Sequence, residues 1–477
     1  MTSPADSADV RRTNLSLVLR HIEAHGPCAR TEIAAATGLV HASVTAMAAD
    51  LVERGLVEEA GVAPSGGRGR PRRLLRLVPG RVWTVAVQVT WEYAQVWVAD
   101  LQGAVVYAER AAYDVPLGAP GPVRGPAGEP GAGRTTGAVT GPDGGPAGGP
   151  AAGPEGGPIA GPAAGRRNGP SGGRMPRWKA GRKPGPVAET IAGAVQSAVA
   201  RAGGAHVGRV VIAVPGPVIG GVVGAAIGFG WGATDLAALV AGHLPDLGCP
   251  VEVVNEANVA ALAEYHALAA ADVSHPDTVV YVKGDIGVSG GLLIGGRVHQ
   301  GSRGMAGEIG HVPVSLDGRP CLCGSRGCLD TYLSLRALIA AAGMGPLAPG
   351  QRPADDRAEL GRRLHAGDSQ ALAALDHAGH ALGAALLAVA GVTDAGEAVL
   401  GGYLADWAPW LAPGIDARLA GRRTEIPGVG LTVSVGVLGA DATLHGAVQV
   451  GRDRILDDPT SVPTRGGAAP TVTVRRL

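Results

Sequence analysis

Three cysteines and a histidine in the second half of the chain have the spacing of a metal site. Cys321, Cys323 and Cys328 fall within eight residues that turn on glycines, and His311 lies ten residues upstream of the first. Three thiolates and one imidazole are a common ligand set for tetrahedral Zn²⁺, and four protein ligands leave no open position for catalysis. The spacing therefore predicts a structural zinc site. The alternative is three buried free thiols, which suits a glycine-rich loop poorly.

Polar residues that could bind a ligand occur near this cluster. Glu308 lies three residues before His311 in the run Gly301–His311, whose glycines let the backbone approach a ligand closely. Asn255 and Glu256 end an apolar run and open a helical pattern, so we place them at the carboxyl end of a strand, where open α/β folds bind ligands. An amide beside a carboxylate can hold vicinal hydroxyls, and the carboxylate could also act as a general base.

Residues 10–80 have the pattern of a small DNA-binding module. Apolar residues from Leu15 to Ile22 recur at helical spacing, and two further helices, about 31–37 and 42–54, are joined by a turn typical of a helix-turn-helix. Two short strands follow, and the loop between them has the position of a wing. A recognition helix reads base edges through its first turns. The candidate readers in the third helix are His41, Ser43, Thr45 and Ala46, whose short side chains suit close approach.

The loop of this wing is rich in arginine. From Arg68 to Arg81 there are six arginines and no acid, which is the local excess that phosphate neutralisation needs. An extended, glycine-flanked Arg-Pro-Arg segment also suits a narrow minor groove. The residues that we expect to contact DNA here are Arg68, Arg70, Arg72 and Arg73. The alternative is a solvated face of a module that makes protein contacts.

The composition is that of a globular protein with a low-complexity interruption. The chain has 477 residues, 46% hydrophobic and 17% charged, with 41 basic and 41 acidic residues, which excludes a uniformly basic protein but permits a local basic patch. Residues 115–186 are rich in glycine and proline and carry a basic end. They cannot bury enough apolar surface to fold, so we predict a disordered insertion, whose basic end could also contact nucleic acid.

Two triplets of short β runs, at about 83–108 and 278–299, are each followed by strand–helix units. This repetition predicts a duplicated α/β domain over residues 82–450 with a cleft between its lobes, and residues 451–477 are predicted to be a C-terminal tail. The longest apolar run near membrane length has 13 residues, no secretory signal is recognisable, and five cysteines are too few for a disulfide framework. The sequence thus predicts a cytoplasmic protein without membrane contact.

The chain resembles the repressor–ORF–kinase (ROK) family. The family signature Gly-x-x-Gly-x-Ala-Gly-Glu-x-Gly-His followed by Cys-x-Cys-Gly-x-x-Gly-Cys appears as Gly301–His311 and Cys321–Cys328, with Asp330 where the family usually has Glu. The first 80 residues are similar to the winged helix of the family's repressors. The resemblance implies an actin-like (ribonuclease H-like) fold with a sugar in the cleft. The residues that match the family's sugar contacts are Asn255, Glu256, Glu308, His311 and Asp330.

The resemblance also separates a regulator from a kinase. Family kinases hold nucleotide phosphates with Asp-x-Gly-Gly-Thr, whereas this chain has Gln88-Val89-Thr90-Trp91-Glu92, and Asp285 lies in the second phosphate loop, where it should repel a triphosphate. Glu256 replaces the catalytic Asp. We therefore expect no enzyme activity but a repressor, a homodimer or homotetramer, that binds operator DNA and senses a sugar or sugar phosphate. Two alternatives remain: a sugar kinase with an added DNA-binding module, and a DNA-binding protein that ignores ligands.

Overall fold

A winged helix forms the first part of the computed structural model, which describes residues 7–62, 72–113, 183–345, 352–423 and 430–465 with short gaps at 204, 225, 227–228 and 272–275. Its elements are α1 (Ser7–His25), β1 (Cys28–Ala29), α2 (Arg30–Thr37), α3 (His41–Glu53), β2 (Val57–Val62) and β3 (Arg73–Leu77). Strands β2 and β3 pair antiparallel and β1 adds to β3. The predicted helix-turn-helix and hairpin are confirmed.

Two five-stranded sheets, one per lobe, follow in the chain. The first lobe contains β4 (Val82–Val89), β5 (Tyr93–Ala99), β6 (Val105–Ala112), α4 (Pro184–Ala202), β7 (His206–Val214), the small pair β8 (Val218–Ile219) and β9 (Val222–Val223), α5 (Leu236–Gly242) and β10 (Val251–Asn255). Helix α6 (Glu256–Ala270) follows β10 and packs on the sheet of the second lobe. The second lobe contains β11 (Thr278–Gly284), β12 (Val288–Ile294), β13 (Arg297–Val298), α7 (Asp330–Leu333), α8 (Leu335–Ala341), α9 (Pro353–His365), α10 (Ser369–Thr393), β14 (Glu397–Gly402), α11 (Tyr403–Asp406), α12 (Ala408–Arg423) and β15 (Thr432–Val435). The last helix, α13 (Ala442–Asp457), returns to pack on the sheet of the first lobe.

The two sheets have the same topology. The first has the strand order β6-β5-β4-β7-β10 and the second β13-β12-β11-β14-β15. In each, three strands form an antiparallel meander, and two further strands add parallel to the first strand of that meander and to each other. The predicted duplication is therefore confirmed. Between β6 and α4, residues 114–182 lie outside the described residues, and with them most of the predicted insertion; its predicted end at residue 186 is wrong, because α4 begins at Pro184.

Apolar strands and helices fill the interior of both lobes. All eight residues of β4 are buried, and the core of the first lobe packs α4 against the sheet. In the second lobe α10 and α12 pack on each other and share one apolar core with residues of the sheet. By length and composition α10 could span a membrane, as could α2 and α3 if that bent pair is counted as one span. Leu375, Leu382 and Leu386 of α10 are instead buried in the core of the lobe.

The last helix, α13, corrects the predicted C-terminal boundary. A tail was expected from residue 451, but α13 continues to Asp457, and the chain is described as far as residue 465. Ile455, Leu456 and Val462 are each at most 1% exposed and share an apolar core with Leu15 and Leu19 of α1. The final turns of α13 are therefore part of the folded winged helix, because they bury apolar surface that the winged helix would otherwise expose.

Candidate functional site

The predicted metal ligands meet in the second lobe. His311 ends a short 3₁₀ turn after β13, and the three cysteines lie in the loop that leads into α7. His311 Nδ1 lies 3.6 Å from Cys321 Sγ, Cys323 Sγ lies 3.7 Å from Cys328 Sγ, and all four ligand atoms lie within 4.8 Å of one another. Zn–S bonds of about 2.3 Å in a tetrahedron give S···S edges of about 3.8 Å. The donor set and its spacing therefore fit a tetrahedral metal ion.

The protonation of the thiols also fits a metal site. Burial raises the pKa of Cys321, and the neighbouring thiols of Cys323 and Cys328 act in the same direction. A divalent cation is what would hold these groups as thiolates. Since Nδ1 of His311 is directed at this cluster, Nε2 is left for another contact.

Asn255 closes the carboxyl end of β10 as the N-cap of α6. Its Oδ1 accepts a hydrogen bond from the Asn258 amide at 2.9 Å, and its Nδ2 donates to the carbonyl of Gly216 at 2.8 Å. A primary amide has two hydrogens and two lone pairs, so one of each remains for a ligand. The same bonds fix the β10–α6 junction against the turn that follows β7.

Glu256, the first residue of α6, is held by a cation. It is 4% exposed, Lys283 Nζ donates to its Oε2 at 2.8 Å, and Gln88 at the end of β4 bonds the same carboxylate. Lys283 Nζ also lies 3.3 Å from Thr443 Oγ1 in α13. Gln88, Glu256, Lys283 and Thr443, the inter-lobe polar cluster, therefore connect the first lobe, the second lobe and α13.

The negative charge of Glu256 stabilises the positive charge of Lys283. Burial disfavours the charge on Lys283, but Glu256 and Asp285 outweigh it and raise the pKa of the lysine. The Glu256 carboxylate consequently faces a fixed ammonium group. Burial raises the pKa of Glu256 and Lys283 opposes that rise, so the carboxylate could take a proton from a substrate only if this ion pair were broken.

Glu308 and Asp330 are the carboxyl groups nearest in sequence to the metal ligands. Burial raises the pKa of each, and His311 attracts both negative charges and opposes that rise. Asp330 Oδ1 accepts a hydrogen bond from the Val288 amide at 2.9 Å, which fixes it beside the β11–β12 turn. The backbone carbonyl of Glu308 accepts a hydrogen bond from the His311 amide at 3.0 Å, whereas its carboxylate has no hydrogen-bond partner among the described residues and remains available to a ligand.

Two glycines of β12 bring these segments together. A Cβ on Gly291 would lie 3.1 Å from the Ala257 carbonyl in α6, and one on Gly290 would lie 2.8 Å from the Gly307 carbonyl. The first turn of α6 and the loop before Glu308 therefore both pack directly on the β12 backbone. Any side chain at these two positions would push the predicted sugar-binding segments apart.

Aromatic and acidic groups occupy the turn between β4 and β5, where family kinases would hold phosphates. The ring of Trp91 stacks on Phe229 with centroids 4.7 Å apart and planes at 8°, and Phe229 contacts Trp231 at 5.0 Å. Burial raises the pKa of Glu92; Arg352 and Arg357 of the second lobe oppose that rise, and the carboxylates of Asp355 and Asp285 act with it. The rings and the carboxylates disfavour a triphosphate at this turn, and Arg352 and Arg357 offset part of the negative charge.

Helix α3 presents small side chains to solvent. Of the predicted base readers, His41 and Thr45 are exposed, whereas Ser43 is half-buried. Thr45 Oγ1 donates to the His41 carbonyl at 2.9 Å. On the opposite face Val44 and Leu51 are fully buried against the rest of the winged helix.

Part of the wing's positive charge is already paired. Arg73 forms an ion pair with Glu59, which also holds Arg30 at 3.2 Å. Arg76 is paired with Glu58 at 2.6 Å. These arginines brace the base of the wing, so the six-arginine excess in the sequence overstates the charge that is free for phosphate.

The remaining wing arginines differ in their surroundings. Arg81 donates to the carbonyl of Pro463 at 3.2 Å and thereby holds the C-terminal segment. Arg72 is exposed, and no ion pair of this residue occurs in the described part of the chain. Arg68 and Arg70 lie outside the described residues, so the prediction for both stays a prediction.

Ion pairs join α1 to α13. Arg20 binds Asp453 at 3.2 Å and Asp457 at 2.7 Å, and Arg452 binds Glu23 at 2.8 Å. These pairs surround the shared apolar core at the end of α13. The winged helix is therefore fixed to α13 by both charge and apolar contact.

Sequence reasoning missed Lys283, although a signal was present. It is the one charged residue in the strand Thr278–Gly284, whose other side chains are apolar or small. A lone lysine in a buried strand requires a partner, because an isolated buried charge is strongly unfavourable. The identity of that partner was not deducible from local sequence.

Two parts of the chain match the sequence models of known protein families. Residues 179–453 match the sequence model of the ROK family, and residues 16–70 match that of the MarR family. N-acetylmannosamine kinase from Citrobacter koseri is 37% identical over 160 residues, which are 33% of this chain and 52% of that protein. The chain thus spans about half the length of this curated relative.

Two solved structures share the fold. A ROK family transcriptional regulator, a homologue of the E. coli MLC protein, is similar with a TM-score of 0.66 at 21% identity, covering 94% of this chain and 97% of that one. A ROK family glucokinase from Streptomyces griseus, solved with glucose and AMPPNP, has a TM-score of 0.51 at 24% identity and covers 78% of this chain and 99% of that one. The predicted fold, a winged helix-turn-helix before a duplicated actin-like domain, is confirmed.

Proposed function

The chain belongs to the ROK family, whose sequence model matches residues 179–453 of its 477, and from that membership we propose that it is a DNA-binding transcriptional repressor that senses a sugar or sugar derivative. The winged helix would bind the operator. The cleft around Asn255, Glu308 and His311 would bind the effector. We further propose that the protein acts in the cytoplasm. It would bind DNA as a homodimer or homotetramer, since two winged helices match the two half-sites of an operator.

The observation that carries this proposal is the path of α13. Near its start Thr443 contacts Lys283 in the inter-lobe polar cluster, and near its end Ile455 and Leu456 lie in the core of the winged helix. Its 16 residues span about 24 Å. Because α13 packs on the sheet of the first lobe, a ligand that changes the angle between the lobes would move the first lobe, α13 and the winged helix together relative to the second lobe.

Three features argue against a kinase. The carboxylate at the position of the catalytic Asp, Glu256, is paired with Lys283. Trp91 packs against aromatic rings where a glycine would admit phosphate. Glu92 and Asp285 add negative charge at the same end. We propose that the protein is not an enzyme.

The metal site would serve the sugar site. When bound, Zn²⁺ would supply a tetrahedral cross-link between His311, Cys321, Cys323 and Cys328, with no open position for catalysis. His311 Nε2 would then be oriented for a sugar hydroxyl, as a ligating histidine is fixed by its metal bond. Asp330 follows the last cysteine by two residues, so the cross-link would also hold that carboxylate in place.

The test is a fluorescence titration of the full chain against fragments of its own upstream region, at fixed salt, with and without a panel of sugars and sugar phosphates. Specific binding that one sugar weakens supports the regulator and identifies the effector. Glu308→Gln is expected to keep operator affinity and lose the sugar response, and the matched Glu109→Gln, on the edge strand β6, to keep both. Sugar-dependent ATP turnover without specific DNA binding would contradict the proposal and favour the kinase.

A further inference from the structure

We propose that α3 selects its operator through contacts with thymine methyl groups rather than through hydrogen bonds to base edges. The inference rests on the proposed DNA-binding function and adds the chemistry of the bases that would be chosen. Its basis is the set of side chains on the exposed face of α3.

The outward face of α3 is a ridge of methyl groups. Successive residues of a helix are rotated by about 100°, so the face opposite the buried Val44 and Leu51 is fixed. The exposed residues on that side are Ala42, Thr45, Ala46 and Ala49, and Glu53 follows them in the last turn. Val40, directly before the helix, is 69% exposed and extends the apolar surface at the end that enters the groove.

Side chains that read bases by paired hydrogen bonds are missing from this helix. Arg or Lys reads guanine and Asn or Gln reads adenine, and the sequence of α3 contains none of these four. Its two acids lie in the last turn, and Asp50 is bound to Arg54 at 2.7 Å. The proton of the Thr45 hydroxyl is used by the His41 carbonyl. A single contact from His41 to a purine N7 does not distinguish guanine from adenine.

The complementary feature of the major groove is the thymine 5-methyl group, which accepts apolar contact from Ala and from the Thr methyl. Affinity would come from arginines such as Arg72, which is exposed beside the wing, because phosphate contacts position a protein without reading sequence. Small side chains also let the helix lie deep in the groove, so that several methyl contacts form together.

The experiment replaces thymine by deoxyuracil, which removes the methyl group and leaves every base-edge hydrogen bond. A duplex selected with the full chain from a random library is titrated by fluorescence anisotropy at fixed salt, with each half-site thymine replaced in turn. At two or more positions per half-site we expect a roughly fourfold loss of affinity, the value of one buried methyl. Replacement outside the half-sites should have no effect.

Variants connect the effect to α3. Ala42→Ser and Ala46→Ser place a hydroxyl at the ridge and are expected to bind thymine and deoxyuracil duplexes about equally. Ala373→Ser, at an exposed position of α10, is the matched control and should keep the fourfold preference. Both ridge alanines are exposed, so the serine variants retain the core of the winged helix.

The possible outcomes test thymine-methyl recognition separately from the proposed DNA-binding function on which it rests. Specific binding that is indifferent to deoxyuracil at every position overturns methyl recognition and leaves the DNA-binding function standing. A deoxyuracil effect that persists in both serine variants overturns the assignment to α3. Absence of any sequence-specific binding overturns the proposed function and the inference together.

Discussion

Replacing Lys283 by methionine would test the inter-lobe polar cluster directly. The lysine and Glu256 have side chains 7% and 5% exposed, so the pair is shielded from water on both sides. Methionine has a similar length and apolar stem, so the change removes the charge without opening a large cavity. Removal of one partner from a buried ion pair costs about 3–5 kcal/mol in the free energy of unfolding, because the other charge is left uncompensated.

The loss of stability in Lys283→Met should increase as the pH rises. Burial raises the pKa of Glu256, and Lys283 opposes that rise in the wild type. In Lys283→Met the opposition is gone, so the folded state takes up a proton at a higher pH than the unfolded chain, whose glutamates have a pKa of about 4.3. A carboxyl with a raised folded pKa loses stability as pH rises. The deficit relative to wild type is therefore largest near pH 8 and shrinks as pH falls toward 5.

Urea unfolding followed by tryptophan fluorescence measures this deficit at each pH. Lys283→Met combined with Glu256→Gln should recover most of the loss and remove its pH dependence, since no buried charge remains. Lys183→Met, at an exposed lysine before α4, should change stability by less than about 0.5 kcal/mol. A Lys283→Met deficit below about 1 kcal/mol, or one equal at pH 5 and pH 8, would refute the assignment of a charged buried pair.

Three further perturbations have defined outcomes. Cys323→Ser should abolish protein-bound zinc in elemental analysis and weaken effector binding in calorimetry; retained zinc would contradict the four-ligand site. Leu456→Ala, at a residue 1% exposed, should lower the free energy of unfolding by about 2–5 kcal/mol, whereas Val437→Ala, at a residue 60% exposed, should change it little. Glu308→Gln should raise the effector Kd at least tenfold with the melting temperature unchanged, and an unchanged Kd would place the effector elsewhere.

The helices and strands could be predicted because the patterns that indicate them extend over only a few residues. The apolar stripe from Leu15 to Ile22 and the turn before α3 are short-range features, and the structure has helices there. The two β triplets were visible for the same reason, since each meander strand pairs with its sequence neighbour. The His and Cys ligands lie within 18 residues of each other, so their meeting was also predictable.

Contacts between distant residues could not be predicted from such patterns. Lys283 and Glu256 are 27 positions apart on β11 and α6, and their pairing depends on how these two elements dock. Arg20 meets Asp453 across 433 positions, so residues 451–465 gave no local sign that they belong to the winged helix. Counting wing arginines likewise ignored Glu58 and Glu59, which face them only once the hairpin forms.

The contact between the two ends of the chain has a consequence for its synthesis. The winged helix is synthesised before the two lobes, but the side chains that complete its core, Ile455, Leu456 and Val462, are synthesised after them. At 5–20 residues per second, the 433 positions between Arg20 and Asp453 take roughly 20–90 seconds to translate. For most of its synthesis a nascent chain therefore carries a winged helix whose apolar core is incomplete. For the proposed regulator, binding to the operator would therefore begin only after the ROK domain is complete.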